Sequence, residues 1–362
     1  MGTEGAPETA ENASPAHTVL QPKVMSAHDL EEQAKEAQVS EDIAKAKAHD
    51  PYEDKAIQQK LLEEYRDLEV KIASFGLDKT AMDHVWKDFN TKVEAGHAAL
   101  GSIGVARCYP MKNRFPDVLP FDKNRVELPT TKDDYINASH VRDVSDHAPR
   151  FIATQAPTKA NLSDFWTMIW QENVETVVCL LSEGDLTDAY WPKDRKEPLK
   201  VTSAKLEVTL QSQRSDDKAG TTERIFTVRN VETAVSRVVV HIQLNDYRLA
   251  SIVSLVREVL SYHRQQRVLS HPVCVHDLGG SGKCGLVLVL ASAIAEINVG
   301  MQNPTLIPDL VELSAKVCSQ RRGILKSREH LKQAFQVYLE RLVMFRLILL
   351  EKNNNFLFRE LR

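Results

Sequence analysis

One stretch constrains the fold of this chain more than any other: Val275-His276-Asp277-Leu278-Gly279-Gly280-Ser281-Gly282-Lys283-Cys284-Gly285. The apolar run Pro272 to Val275 predicts a strand before it, and Leu286 to Ala295 predicts a buried helix after it, starting near Gly285. Strand, glycine-rich turn and helix N-terminus in that order aim several backbone N–H groups at one point, which makes an anion cradle. A chain built around such a unit needs a sheet with helices packed on it. The expected fold class is therefore α/β (α+β), with a twisted mixed sheet flanked by helices.

The segments around the cradle fit that class. Ile152 to Thr154, Thr176 to Leu181, Lys200 to Leu210, Arg224 to Val231 and Arg237 to Gln243 have strand character. Asp164 to Glu172, Ile252 to Arg264, Leu286 to Asn298 and Leu331 to Arg346 have helix character, and Ser212 to Thr222 is expected as a polar hairpin loop. Residues 1–25 are rich in Ala, Pro, Glu, Thr and Ser and are expected to be disordered. An acidic helical region follows over 26–105, an appendage to a main domain over 106–345, and 346–362 form a C-terminal tail. Ile57, Leu61, Tyr65, Leu68, Ile72 and Phe75 recur at spacings of three and four, one apolar stripe on a helix. The stripe serves either a helical hairpin packed on the main domain or a partner-binding seam over 54–75. A second helix is expected from Thr80 to Leu100.

Charge divides the chain. Residues 1–100 carry 11 Lys/Arg and 20 Asp/Glu, so the net −4 of the whole leaves a mildly basic remainder. The five cysteines (Cys108, Cys179, Cys274, Cys284, Cys318) form no CxxC pair, which fits a reducing compartment and argues against a disulfide scaffold or zinc site. The first residues have neither a basic nor an apolar segment of a signal peptide, and Met1-Gly2 lacks the second signal that stable lipid anchoring needs. The most apolar run, Leu342 to Leu350, is interrupted by Arg346 and is expected to pack as a terminal helix.

The cradle resembles the signature loop of the protein-tyrosine phosphatases, His-Cys-x-x-Gly-x-x-Arg-Ser/Thr-Gly, with His276, Gly280, Gly282 and Gly285 in matching places. Other blocks are similar to that family in order and spacing. Lys112 to Val126 resembles its phosphotyrosine-recognition loop, and Asp133-Asp134-Tyr135-Ile136-Asn137-Ala138-Ser139 an inner strand. Phe151 to Pro157, Asp164 to Trp170, Tyr190-Trp191-Pro192 and Gln320-Arg321-Arg322-Gly323 follow. The resemblance implies the family fold over 106–345, with Tyr190-Trp191-Pro192 lying over the site. The style of the blocks is similar to that of the non-receptor members that carry a Bro1 domain and serve endosomal sorting. That likeness implies a cytoplasmic, endosome-associated protein with protein partners, met through the 54–75 helix or the phosphotyrosine-pocket surface. No nucleic acid, membrane span, cofactor or metal is expected.

The departures bear on chemistry. Asp277 stands where the family has its nucleophilic cysteine, and Lys283 where an arginine clamps the phosphate. A carboxylate is a poor nucleophile toward a phosphomonoester and repels the dianion, while a lysine supplies a point charge without the planar fork. Asp277 is expected to accept the loop's own N–H groups and to pair with Lys283. Leu244 to Ser251, where the resemblance implies a Trp-Pro-Asp loop carrying the general acid, has neither Trp nor Pro, and Asp246 is a weak substitute. Lys326 replaces the water-positioning glutamine and Phe115 the stacking tyrosine, and Asp117 is kept. Cys284 is expected as a core cysteine and His276 as a structural hydrogen-bonding residue. Gly279, Ser281 and Gly282, with Phe115, Asp117 and Lys326, make up the candidate binding surface. No catalytic set is intact, and the leading expectation is a pseudophosphatase scaffold. The alternatives are a weakly active tyrosine phosphatase and a phosphotyrosine or phosphoinositide binder.

Overall fold

A computed structural model describes residues 79–353, except 132, 186–188 and 301–308, together with scattered positions between 56 and 70. The expected disorder of residues 1–25 and the apolar stripe of the 54–75 helix lie outside the described residues.

The order of elements follows from the alternation of apolar runs. Helix α1 (Lys79–Leu100) and short α2 (Gly104–Cys108) precede strands β1 (Arg125–Leu128), β2 (Asp134–Val141) and β3 (Phe151–Gln155). Then come α3 (Leu162–Gln171), β4 (Thr176–Cys179), β5 (Leu199–Val201), β6 (Leu206–Asp216), β7 (Thr221–Asn230) and β8 (Ser236–Leu244). Helix α4 (Leu249–Gln265), strand β9 (Val273–Asp277), and helices α5 (Lys283–Gly300), α6 (Leu310–Cys318) and α7 (Arg328–Asn353) complete the fold. The nine strands form one mixed sheet in the order β1-β2-β3-β9-β4-β8-β7-β6-β5.

Strand β9 runs parallel to both β3 and β4, and every one of its residues is buried. A strand covered on both faces must be apolar throughout, and Val273, Cys274 and Val275 meet that demand. Helix α5 is apolar all round, with Leu286 to Ile294 at most 1% exposed. Such a helix is stable only when enclosed, and α4, α6 and α7 pack against it. The central strand and the most buried helix thus meet at one turn, which fixes the cradle rigidly at the C-terminal end of β9.

Three boundaries differ from expectation. The strand expected over Lys200 to Leu210 is two strands, β5 and β6, broken by a helical turn that closes on Lys205 at φ +54°. The loop expected over Ser212 to Thr222 is mostly strand. β6 and β7 pair as far as Asp216 with Thr221, and the turn reverses at Gly220. Polar residues of the β6 arm face water, so their polarity reported exposure and not a loop, while Thr221 and Thr222 on the β7 arm are buried. Helix α7 continues to Asn353, past Arg346 and into the expected tail.

Candidate functional site

The cradle closes around its own carboxylate. Asp277 ends β9, and its Oδ1 accepts hydrogen bonds from the backbone N–H groups of Gly279 (3.0 Å), Gly280 (2.6 Å) and Ser281 (3.0 Å). Its Oδ2 accepts one from Cys284 N–H at 3.2 Å. Burial pushes the carboxyl pKa up, and the four donors pull the other way. The donors favour the ionised form, because a protonated oxygen would face N–H groups with no acceptor to receive its proton.

The loop's shape is locked from below. Gly280 has φ +71°, and a Cβ there would stand 2.6 Å from the Thr154 carbonyl oxygen. Arg321 is fully buried beneath the loop. Its Nε donates to the Gly280 carbonyl at 3.0 Å and its Nη2 to the Gly279 carbonyl at 3.1 Å and Asn137 Oδ1 at 2.6 Å. Arg321 was legible only as part of a sequence block, and its role depends on Asn137 and Ser139 of β2 coming to meet it. Gly282 N–H is also engaged, donating to the Ile324 carbonyl at 2.7 Å.

His276 lies one residue inside the strand and is fully buried. Its Nε2 is 2.6 Å from the Tyr190 hydroxyl, which is also 2.8 Å from His241 Nε2. Burial holds both imidazoles neutral, His276 down to about 3 and His241 well below its ordinary value. Tyr190 and Trp191 are buried, with Trp191 packed on His241 and under the Arg224 guanidinium. The expectation that Tyr190-Trp191-Pro192 lies over the site is therefore corrected: two bulky apolar rings find their burial against the sheet, underneath the loop. Cys179 Sγ, His241 and His276 bring ligand atoms within 4.8 Å of one another. The Tyr190 hydroxyl already stands between the two imidazoles, and His241 Nδ1 has no partner to orient it as a ligand. The set fits a hydrogen-bonded core better than a metal centre.

Lys283 does not pair with Asp277. Its Nζ sits over the Tyr247 ring, 2.7 Å from the centroid. Burial lowers its pKa, with Asp185 and then Asp277 opposing. Tyr247 is fixed by donating to the Leu180 carbonyl (2.8 Å) and Asp185 Oδ2 (3.0 Å). Asp277 has spent its lone pairs on the loop, so the ammonium takes the aromatic face instead. Tyr247 and Asp185 were missed in the sequence, where neither sits in a recognisable motif. Asp246 is partly exposed, paired with Arg248 at 2.7 Å and pulled down to about 2 by that partner.

The remaining candidates sit on the rim. The exposed Phe115 ring lies against Gly279, where a Cβ would come within 2.6 Å of it. Lys326 forms an ion pair with Asp117, so each neutralises the other. Cys284 is fully buried, with Sγ 3.5 Å from the Val275 carbonyl. Burial and the Asp277 charge push its thiol well above its ordinary pKa, which makes it inert as a nucleophile.

No helix among the described residues is long and apolar enough to cross a membrane. The chain is 33% identical over 295 residues to tyrosine-protein phosphatase non-receptor type 23 of Rattus norvegicus, a match covering 78% of this chain and 19% of that protein. The counterpart of Homo sapiens is 32% identical over 299 residues, covering 79% of this chain and 17% of that protein. Receptor-type tyrosine-protein phosphatase-like N of Bos taurus is 28% identical over 243 residues, covering 63% of this chain and 24% of that protein. The chain thus spans less than a fifth of the length of its non-receptor type 23 relatives. With the protein-tyrosine phosphatase profile matching residues 109–340, and a glycine-rich loop joining β9 of the mixed sheet to α5, the chain belongs to the protein-tyrosine phosphatase family.

Proposed function

We propose that this chain is a pseudophosphatase, an interaction module that keeps the phosphatase scaffold and has given up phosphoryl transfer. The observation that carries the reading is the occupancy of the cradle: four N–H groups that would bind a phosphoryl group are donated to Asp277. A phosphate dianion brought near would meet that charge with a repulsion of roughly 4 kcal/mol per charge pair at 4 Å and an effective dielectric near 20. Three further features support it. Lys283 is held on Tyr247, Asp246 is held on Arg248, and Lys326 is held on Asp117. Nucleophile, clamp, acid and water-positioning group are lost together, and loss of the nucleophile alone removes the covalent route. Protein partners in the cytoplasm, at endosomes, fit the resemblance to the Bro1-bearing members. They would meet the surface around Phe115, Asp117 and Lys326, or the 54–75 helix.

The test is phosphate release from para-nitrophenyl phosphate and from a phosphotyrosine peptide by the purified chain. The expected result is no turnover above the solvent background, with the native chain and Asp277→Ala alike. Turnover by the native chain that Asp277→Ala abolishes would make it an aspartate-dependent enzyme and end the pseudophosphatase reading.

A further inference from the structure

We propose that a second cavity, walled by α4, α5 and α7, binds a small phosphorylated ligand at a site separate from the signature loop. The cavity has a volume of about 680 Å³ and is lined by Arg257 and Arg264 of α4 and Arg341 of α7, with Ser254, Ser261 and Asn298 completing its polar wall. Arg257 and Arg264 lie two helical turns apart and so share one face of α4. A volume of this size holds a small-molecule ligand.

Charge makes the cavity unusual. Among the described residues, no carboxylate forms an ion pair with Arg257, Arg264 or Arg341, although acids outnumber bases in the chain. Glu258 shares the wall, but its carboxyl is directed to the Thr221 hydroxyl at 3.4 Å. Burial and neighbouring Glu223 also raise its pKa, which weakens it as a counter-charge. Arg341 is half-buried, and after burial it is the Arg257 charge that lowers its pKa. Two guanidinium groups therefore face a shared space at a cost in repulsion that a bound anion would remove.

The chemistry of the wall selects the anion. Guanidinium forks match the oxygens of a phosphate in pairs, and hydroxyl and amide donors add further hydrogen bonds. Among the described residues the lining has no aromatic ring and only Leu260 and Ile294 as apolar members, so a compact polar ligand with more than one phosphate suits it. The site is remote from the cradle. Lys283 opens α5 at the signature loop, and Asn298 lies roughly 22 Å further along the helix axis at 1.5 Å per residue.

The experiment is titration calorimetry of the full chain with inositol trisphosphate at low ionic strength, beside flotation with vesicles that carry the same phosphorylated headgroup. Binding of the soluble ligand is expected, weakened about tenfold or more by Arg257→Gln with Arg264→Gln, since each removes a charge-assisted hydrogen bond. Both arginines are exposed, so the variant keeps its fold, and an unchanged melting curve checks this. Asp277→Ser, at the other site, should leave this affinity unchanged. Tighter association with vesicles than with the soluble ligand identifies a lipid headgroup as the source, and equal affinity identifies a free metabolite. Absence of binding by the native chain overturns the proposal, whatever the vesicles do, and so does binding that the arginine substitutions leave intact.

Discussion

Asp277 does the work of a bound phosphate for the loop that surrounds it. Removing its charge should therefore open the site. In Asp277→Ser the four N–H groups lose their carboxylate acceptor and the repulsion disappears, so inorganic phosphate should bind measurably, whereas the native chain should show no binding below millimolar concentration. Calorimetry of the two proteins decides this, and micromolar phosphate binding by the native chain would contradict the occupied cradle. Restoring chemistry is harder. Asp277→Cys returns a thiol to the cradle, but Lys283 remains on the Tyr247 ring and no acid is delivered from 244–251. General acid catalysis is worth about 10²–10⁴-fold, so the single variant should turn over far more slowly than a competent family member. Adding Lys283→Arg should help more than additively, because nucleophile and clamp act on one phosphoryl group. A double-mutant cycle on phosphate release measures the coupling, and strict additivity would mean the two positions never share a substrate. The presence of Asp277 at the position of the family's cysteine was legible in the sequence, since one residue type replaces another within a recognisable loop. The fate of Lys283 was not, because its partner Tyr247 arrives from the turn between β8 and α4 and is defined only by the sheet.

At the scale of elements, the loop is held by what lies under it. Tyr190→Phe removes the hydroxyl shared by His241 and His276 and leaves two buried imidazole nitrogens without a partner. The expected cost is about 1–3 kcal/mol, read as a lower denaturation midpoint in urea with an unchanged slope. A variant as stable as the native chain would mean the two imidazole nitrogens are satisfied by other groups. Gly280→Ala combines a left-handed backbone with a Cβ pressed on the Thr154 carbonyl, and should cost about 1–3 kcal/mol from the conformation alone. The signature unit was readable because strand, glycines and apolar helix are each local signals. The long β6–β7 hairpin was not, because its outer half carries polar residues, exposed along β6 and buried along β7 at Thr221, Thr222 and Arg224, where a strand in the core would carry apolar ones. Tyr190 and Trp191 were visible as a motif, yet whether they cover the loop or support it depends on how β4 lies between β9 and β8 and brings His276 and His241 together.

For the whole molecule, buried neutral histidines set the response to acid. Burial holds His276 down to about 3, His140 to about 4, and His97, His241, His263 and His330 below their ordinary value of 6.5. The unfolded chain takes up protons at these sites near pH 6.5 and the folded chain does not. Stability is therefore lost as the pH falls from about 6.5 toward the folded values, by about 1.4 kcal/mol per pH unit for each histidine inside its window. Asp277 works in the opposite sense, since its raised pKa favours the folded state as pH falls. Glu172 and Glu258, also raised by burial, act in the same sense as Asp277. Three carboxyls stand against six histidines, and carboxyls start from lower ordinary values, so acid should destabilise the protein between pH 7 and pH 5. His140 gives the cleanest test. It is lowered by burial and then by Arg142, and its side chain is only 14% exposed. His140→Gln should reduce the stability lost between pH 7 and pH 5 by on the order of 1–2 kcal/mol. Urea titrations of both proteins at the two pH values give the comparison. An identical loss in the two would show that His140 takes up its proton in the folded protein as readily as in the unfolded chain.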